Sequence, residues 1–163
     1  MGGGSSPAPV NFKTKWTNQM EHERQQKIRE YIERDPFAKH LGATIEIPEP
    51  GSSRVTLTIT ENMTNFHGIT HGGVVFALGD MAFAAASNSY GQTAVALNVA
   101  INFLQATRPG DILVAEAREQ HAAGPTALYD ISIRNERTGE VVAHSQDLVY
   151  RKKHWFVPQD ESS

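Results

Sequence analysis

Residues 71–91, HGGVVFALGDMAFAAASNSYG, form the one long segment of this chain that is dense in both small and apolar residues. Gly72 and Gly73 precede Val74, Val75, Phe76, Leu78, Met81 and Phe83, and the run closes on Asn88, Ser89, Tyr90 and Gly91, a set suited to a helix C-terminus. The segment predicts an α-helix of about four to five turns at 3.6 residues per turn. Its apolar residues fall on nearly every face, so the helix is expected to be enclosed by other structure. Asp80 interrupts it. A carboxylate in such surroundings either keeps its solvation through partners or loses its charge, and so calls for a structural or a functional explanation.

Outward from this helix the chain reads as a set of extended segments. On the N-terminal side lie strands near Ala43 to Ile47 and Arg54 to Thr60, the second alternating Val55, Leu57 and Ile59 with polar residues. On the C-terminal side come Ala94 to Leu104, Ile112 to Glu119, Ala127 to Asn135 and Val141 to Arg151, separated by turn signals such as Arg108-Pro109-Gly110-Asp111. Short connections favour antiparallel pairing, and a doubly wound sheet would need more helices than this. The expected fold is therefore α+β, an antiparallel sheet bent around a central helix. Residues 1–17 read as an N-terminal extension, 18–36 as a peripheral helix ending at Asp35-Pro36, 37–153 as the domain, and 154–163 as a C-terminal tail.

With 163 residues and 39% hydrophobic composition, the chain can build one compact core. A net charge of -3 with mixed signs offers no broad positive field, so no nucleic-acid partner is expected. No run of 18 apolar residues predicts a membrane span, and the absence of cysteine fits a reducing compartment, so a cytoplasmic setting is expected. Walker A and dinucleotide-binding glycine signatures are missing.

Chemistry concentrates in Asn65, His67, His71, Gly72, Gly73 and Asp80. The glycines permit close backbone approach, and exposed N–H groups at a helix start can polarise a carbonyl or hold an anion. Read blandly, the same glycines serve helix–sheet packing, Asn65 caps its loop, the histidines hydrogen-bond within it, and Asp80 meets a buried donor. The HxxxH spacing lacks the glutamate of zinc proteases, and no metal is expected. Asp80 follows His71 by nine residues, about 13 Å along an ideal helix and on nearly the opposite side. If both serve one reaction, a second copy must supply one of them, which predicts a site across a dimer interface.

The run TNFHGITHGGVVFALGDMAFAAASNSYG, residues 64–91, closely resembles the hotdog-fold acyl-CoA thioesterases of the phenylacetic acid degradation type. In that family an HGG segment opens the central helix and an Asp follows within it. The likeness extends loosely from about Phe37 to Tyr150. Gly79, beside Asp80, departs from the alanine common there. The resemblance implies a hotdog fold, edge-to-edge homodimers that assemble as dimers of dimers, and hydrolysis of an aromatic or medium-chain acyl-CoA to free CoA and a carboxylate. It gives Asp80 the role of general base or nucleophile, Gly72 that of backbone donor to the thioester oxygen, Asn65 that of orienting thioester or water, and His71 that of supporting the turn. No cofactor is implied, since coenzyme A is part of substrate and product. Candidate substrate contacts are His67, Phe66, Val75, Phe76, Phe83, Asn88 and Tyr90, with Asn98 and Asn102 at the sheet edge. Arg108, Arg151, Lys152 and Lys153 are candidates for the CoA phosphates. The rival reading is a non-catalytic hotdog acyl-CoA-binding or sensor protein.

Overall fold

The computed structural model describes residues 12–159, with side chains from Gln19 onward. Helix α1 spans Phe12–Ile32 and α2 Pro36–Leu41; strands β1 (Thr44–Glu46) and β2 (Ser52–Thr58) follow, then a 3-10 turn at Glu61–Met63. Helix α3 covers Gly72–Asn88, and β3 (Gln92–Phe103), β4 (Ile112–Ala123), β5 (Thr126–Asn135) and β6 (Val141–Trp155) complete the described chain. All six strands form one antiparallel sheet in the order β1-β2-β4-β5-β6-β3. This is the hotdog arrangement, with α3 lying across the sheet's concave face.

Strand alternation decides which side chains meet the helix. Val55 and Leu57 of β2, Leu113, Ala115 and Ala117 of β4, and Tyr129, Ile131 and Ile133 of β5 all point inward and are buried. Small residues on β4 let α3 approach. Gly79 does the same toward β5, where a Cβ at that position would stand 3.2 Å from Ile133 Cδ1. Ser53 Oγ donates to the carbonyl of Ala82 at 2.6 Å, tying β2 to the middle of the helix.

Enclosure of α3 is one-sided, contrary to the expectation from its composition. Val75, Leu78, Gly79, Met81, Ala82, Phe83, Ala85 and Ala86 are buried, whereas Gly73, Phe76 and Ala84 are exposed and Asp80 is half-buried. A sheet on one face of a helix covers little more than half its circumference, so the apolar residues of the opposite face stay open. The edge strand β3 is open as well, presenting Val95, Leu97 and Phe103 to solvent.

The peripheral helix starts at Phe12, earlier than the expected Asn18, and ends at Ile32. Ile28 is the apolar residue it buries fully, while Met20 and Tyr31 are exposed. Arg24 holds it in place: Nε donates to the Pro158 carbonyl at 3.0 Å and a terminal nitrogen to that of Tyr90 at 2.5 Å, with the guanidinium 5.9 Å from the Trp155 ring centroid. Asp35 then starts α2, its Oδ1 accepting from the N–H groups of Phe37 and Ala38 ahead of Pro36 at the first turn. Residues 1–11 of the expected extension over 1–17, and residues 160–163 of the expected tail, lie outside the described residues.

Candidate active site

His71 builds the start of α3. Its backbone is extended (φ -63°, ψ 132°) and its Nδ1 accepts the N–H of Gly73 at 2.8 Å, so its ring proton sits on Nε2. Its own N–H donates to the Met63 carbonyl at 2.8 Å, and its carbonyl accepts from Val74 and Val75. The cap thus takes the Gly73 N–H and leaves that of Gly72 with no acceptor among the described residues. Gly72 is exposed, and its N–H points out of the positive end of the helix.

The loop before the cap is held from both sides. Asn65 Oδ1 accepts from the His67 N–H at 2.9 Å, and the Asn65 N–H donates to the Ile69 carbonyl at 2.8 Å, a local turn that fixes Asn65. Thr107 Oγ1 donates to Thr70 Oγ1 at 2.7 Å while the Thr70 N–H donates to the Thr107 carbonyl at 2.8 Å, pinning the loop to the segment after β3. Between them lies a cavity of about 270 Å³ lined by Asn65, Thr70, Gly72, Val75, Phe103 and Thr107.

Asp80 sits farther along α3, eight residues and about 12 Å from Gly72. Burial pushes its pKa above the ordinary carboxylate range, and the negative charge of Asp35 pushes it further in the same direction. A second carboxylate lies within its electrostatic reach. Asp147 on β6 points inward between Val99 and Tyr129, is 1% exposed, and accepts a hydrogen bond from the Ser145 hydroxyl. Burial raises its pKa; the Ser145 hydroxyl and the Ala100 N–H pull back, and the charges of Asp80 and Asp130 add to the rise. The sequence marks Asp35 only as a helix end and does not mark Asp147. Asp147 was legible, since Ala143, Ser145, Asp147 and Val149 alternate inward along β6.

The other expected contacts divide. Asn65, Gly72 and Val75 share the cavity at the start of α3; Phe66 is 93% exposed and packs on His67 at 4.2 Å between ring centroids; Phe76 is exposed on the open face of α3. Phe83 is a correction: it is 1% exposed and meets Tyr129 edge-on at 5.6 Å, so it belongs to the core. The Asn88 amide is spent on backbone, donating to Ala84 and Ala94 carbonyls and accepting the Ala94 N–H, which fastens the end of α3 to β3. Asn98 and Asn102 pair with Leu148 and His144, positions that face away from α3. Arg151 lies beside the far end of α3, donating to the Gly124 carbonyl at 2.6 Å and influencing Tyr90 and Tyr129. Tyr90 lies there too, its hydroxyl near Glu119 beside Gly51. One protomer therefore does not bring Arg151 to Gly72. Arg108 is exposed and follows Thr107, which lines the cavity at the start of α3.

A sheet packed on one side of a helix whose first N–H is unpaired, with a half-buried carboxylate of raised pKa farther along that helix, is a hotdog arrangement suited to acyl chemistry. The comparisons with known proteins agree. The Thioesterase superfamily matches residues 67–142. The chain is 42% identical to the acyl-coenzyme A thioesterase PaaI of Escherichia coli, over 72% of this chain and 84% of that one. The solved E. coli PaaI structure superposes with a TM-score of 0.77 at 38% identity, covering 82% of this chain and 96% of that one. A Streptococcus mutans protein solved bound to acetyl CoA superposes at 0.64, with 28% identity and coverage of 68% and 88%. The chain belongs to the thioesterase superfamily.

Proposed function

We propose that this protein hydrolyses acyl-CoA thioesters, releasing free CoA and a carboxylate, at a site completed by a second copy of the chain. The observation that carries the reading is the unpaired Gly72 N–H beside a Gly73 N–H already taken by His71. A thioester carbonyl gathers negative charge as it is attacked, and a fixed, partly positive donor that needs no reorganisation stabilises that charge. Asn65 faces the same cavity and orients the thioester or the water. Asp80 supplies the carboxylate, as general base toward water or as nucleophile toward the carbonyl carbon. On the base route Asp80 takes a proton from water as water's oxygen bonds to the acyl carbon, the C–S bond breaks, and the departing thiolate receives that proton. On the nucleophile route an Asp80 oxygen bonds to the acyl carbon as the C–S bond breaks, and water then splits the resulting anhydride. The reaction calls on no cofactor, because CoA arrives with the substrate.

About 12 Å separates Gly72 from Asp80 along α3, too far for one protomer to present both to one carbonyl. The partner's Asp80 closes the gap. The open face of α3 and the twelve-residue edge strand β3, with Val95, Leu97 and Phe103 exposed, support pairing edge to edge, with dimers of dimers as the larger assembly. Relatives named as an acyl-CoA thioesterase or solved with acetyl CoA support the substrate class. An aromatic or medium-chain acyl group and a cytoplasmic setting complete the proposal. Among the described residues, no helix is long and apolar enough to cross a membrane.

The test follows CoA release by purified protein from phenylacetyl-, octanoyl- and acetyl-CoA, with Asp80→Asn alongside. Turnover lost in Asp80→Asn with an unchanged melting temperature supports the assignment. Full turnover in that variant refutes the role of Asp80, and no release by the wild type from any thioester leaves the binding-protein reading standing.

A further inference from the structure

Asp147 is a buried carboxyl group that the proposed reaction does not use. Ala143, Ser145, Asp147 and Val149 alternate inward along β6, and each is 2% exposed or less. Register sets Asp147 opposite Tyr129 on β5 and Val99 on β3, and Ser145 opposite Ile131 and Ile101. No ion pair among the described residues includes Asp147. Its oxygens accept from the Ser145 hydroxyl and the Ala100 N–H instead. A buried carboxyl group without a countercharge costs stability, so its presence asks for a reason.

The phase of α3 brings Asp80 to the same part of the sheet. A Cβ at Gly79 would stand 3.2 Å from Ile133 and 4.0 Å from Ile131, and Phe83 meets Tyr129, so this side of the helix runs along β5. Ala82, on one flank, accepts from Ser53 of β2. Asp80 lies about 100° round the helix from Gly79, on the other flank. In the strand order β2-β4-β5-β6-β3 that flank looks toward β6 and β3. Asp147 sits there, one strand spacing of about 4.8 Å beyond Tyr129. The remaining charged groups nearby are engaged elsewhere. Asp130, on the outer face of β5, pairs with His144 Nε2 at 2.9 Å; Glu119 accepts from the Tyr129 hydroxyl at 2.8 Å; and Asp35 acts on Asp80 from the start of α2.

Resting on the thioesterase reading, we infer that Asp147 is a positioning residue for that reaction: as an anion beneath the flank of α3 that carries Asp80, it drives negative charge out of Asp80 and onto the thioester oxygen. Whether Asp80 takes a proton from water or attacks the acyl carbon, its negative charge moves to the carbonyl oxygen at the partner's Gly72 N–H. Asp147 stands behind Asp80 on the sheet side, and the thioester approaches from the open side. Repulsion falls with distance, so an ionised Asp147 raises the energy of the charge on Asp80 more than that of the charge on the farther oxygen. The reactant state is destabilised more than the transition state, and the step quickens. Burial and the charge of Asp80 keep the proton on Asp147 to higher pH than an ordinary carboxyl group, so the push sets in as pH rises.

The test follows kcat against pH by CoA release, using whichever of phenylacetyl-, octanoyl- and acetyl-CoA the wild type turns over fastest. Carboxyl 13C NMR titration of Asp147 is the readout that needs no turnover. In the wild type kcat rises in two steps, the upper one at the pH where Asp147 titrates. Asp147→Asn keeps the lower step and lacks the upper one, so its kcat falls about fivefold below the wild type on the alkaline side, with KM unchanged and the two curves converging at acid pH. Ser145→Ala removes a donor to the ionised carboxyl group and moves both the upper step and the titration to higher pH. Asp80→Asn moves the Asp147 titration to lower pH. A kcat in Asp147→Asn equal to the wild type at every pH, or reduced by one factor at every pH, overturns the proposal. So does an upper step that Ser145→Ala leaves in place, which decides the matter if Asp147→Asn does not fold. Absence of CoA release from all three thioesters refutes the hydrolase reading instead; the titration then still decides the coupling, and an Asp147 that titrates alike in the wild type and Asp80→Asn overturns it.

Discussion

Gly72→Pro deletes a single backbone N–H and little else. Gly72 is the first residue of α3, where a proline costs no intrahelical hydrogen bond and its fixed φ suits the helix. The residue before a proline must be extended, and His71 already is, at φ -63° and ψ 132°. A Cβ at Gly72 would stand 3.8 Å from the Phe103 ring, an ordinary contact. Stability should therefore hold, with a gain of about 0.4–1 kcal/mol from the stiffer unfolded chain. Catalysis should not. If the Gly72 N–H stabilises the oxyanion, its loss costs about 10²–10³ in kcat, the measured effect of deleting one such donor elsewhere. Gly72→Ala is the control, since it adds the same Cβ contact and keeps the N–H; it should stay within about tenfold of the wild type, well short of that loss. The assay is steady-state CoA release beside a melting curve for each variant. A folded Gly72→Pro protein with turnover like that of Gly72→Ala refutes the assignment of Gly72 and the reasoning built on its unpaired N–H.

Arg24→Ala removes the charged donors to the Pro158 and Tyr90 carbonyls and should weaken docking of α1 by about 2–4 kcal/mol, since a hydrogen bond from a charged group contributes about 1.5–3 kcal/mol and the solvent-exposed one to Pro158 contributes less; hydrogen exchange over residues 19–32 should quicken, and unchanged protection there contradicts it. Asp35→Asn keeps the cap acceptor of α2 and removes a charge that raises the Asp80 pKa, so the acid limb of kcat/KM should move to lower pH; a limb that stays or rises refutes the coupling. For Asp147 the folded pKa is raised, so the wild type binds more protons when folded and loses stability as pH rises from about 3.8 through that folded pKa. Asp147→Asn lacks this loss. Its melting temperature should gain on the wild type across that window and hold the gain above it. The gain in stability is about 1.4 kcal/mol for every pH unit the window spans, and a difference independent of pH refutes the account.

Local patterning revealed the layers of this fold and missed their attachments. Val55 and Leu57 alternate because one face of β2 meets α3, and that period is visible in any short window of sequence. The cap at His71 is equally local, because Nδ1 reaches only two residues ahead. Docking of α1 is different: it depends on Arg24 meeting carbonyls 66 and 134 residues away, and no periodicity encodes that. The influence of Asp35 on Asp80 is long-range in the same way. Phe83 and Phe76 look alike in sequence, yet one lies against Tyr129 and the other faces outward, because helix phase alone separates them.

That phase bears on why α3 is apolar on nearly every side while its sheet covers only one. Leu78, Ala82 and Phe83 answer to the sheet within one protomer, whereas Gly73, Phe76 and Ala84 have no such partner and gain nothing from being apolar in a monomer. Exposed apolar area of that kind marks a surface that something else covers. In the proposed assembly a second copy covers the N-terminal part, where the Gly72 N–H awaits the partner's Asp80, and the open face continues past Asp80 to Ala84. Asp80 stands between these two surfaces, half-buried, where a carboxylate can hold a raised pKa and still reach a thioester.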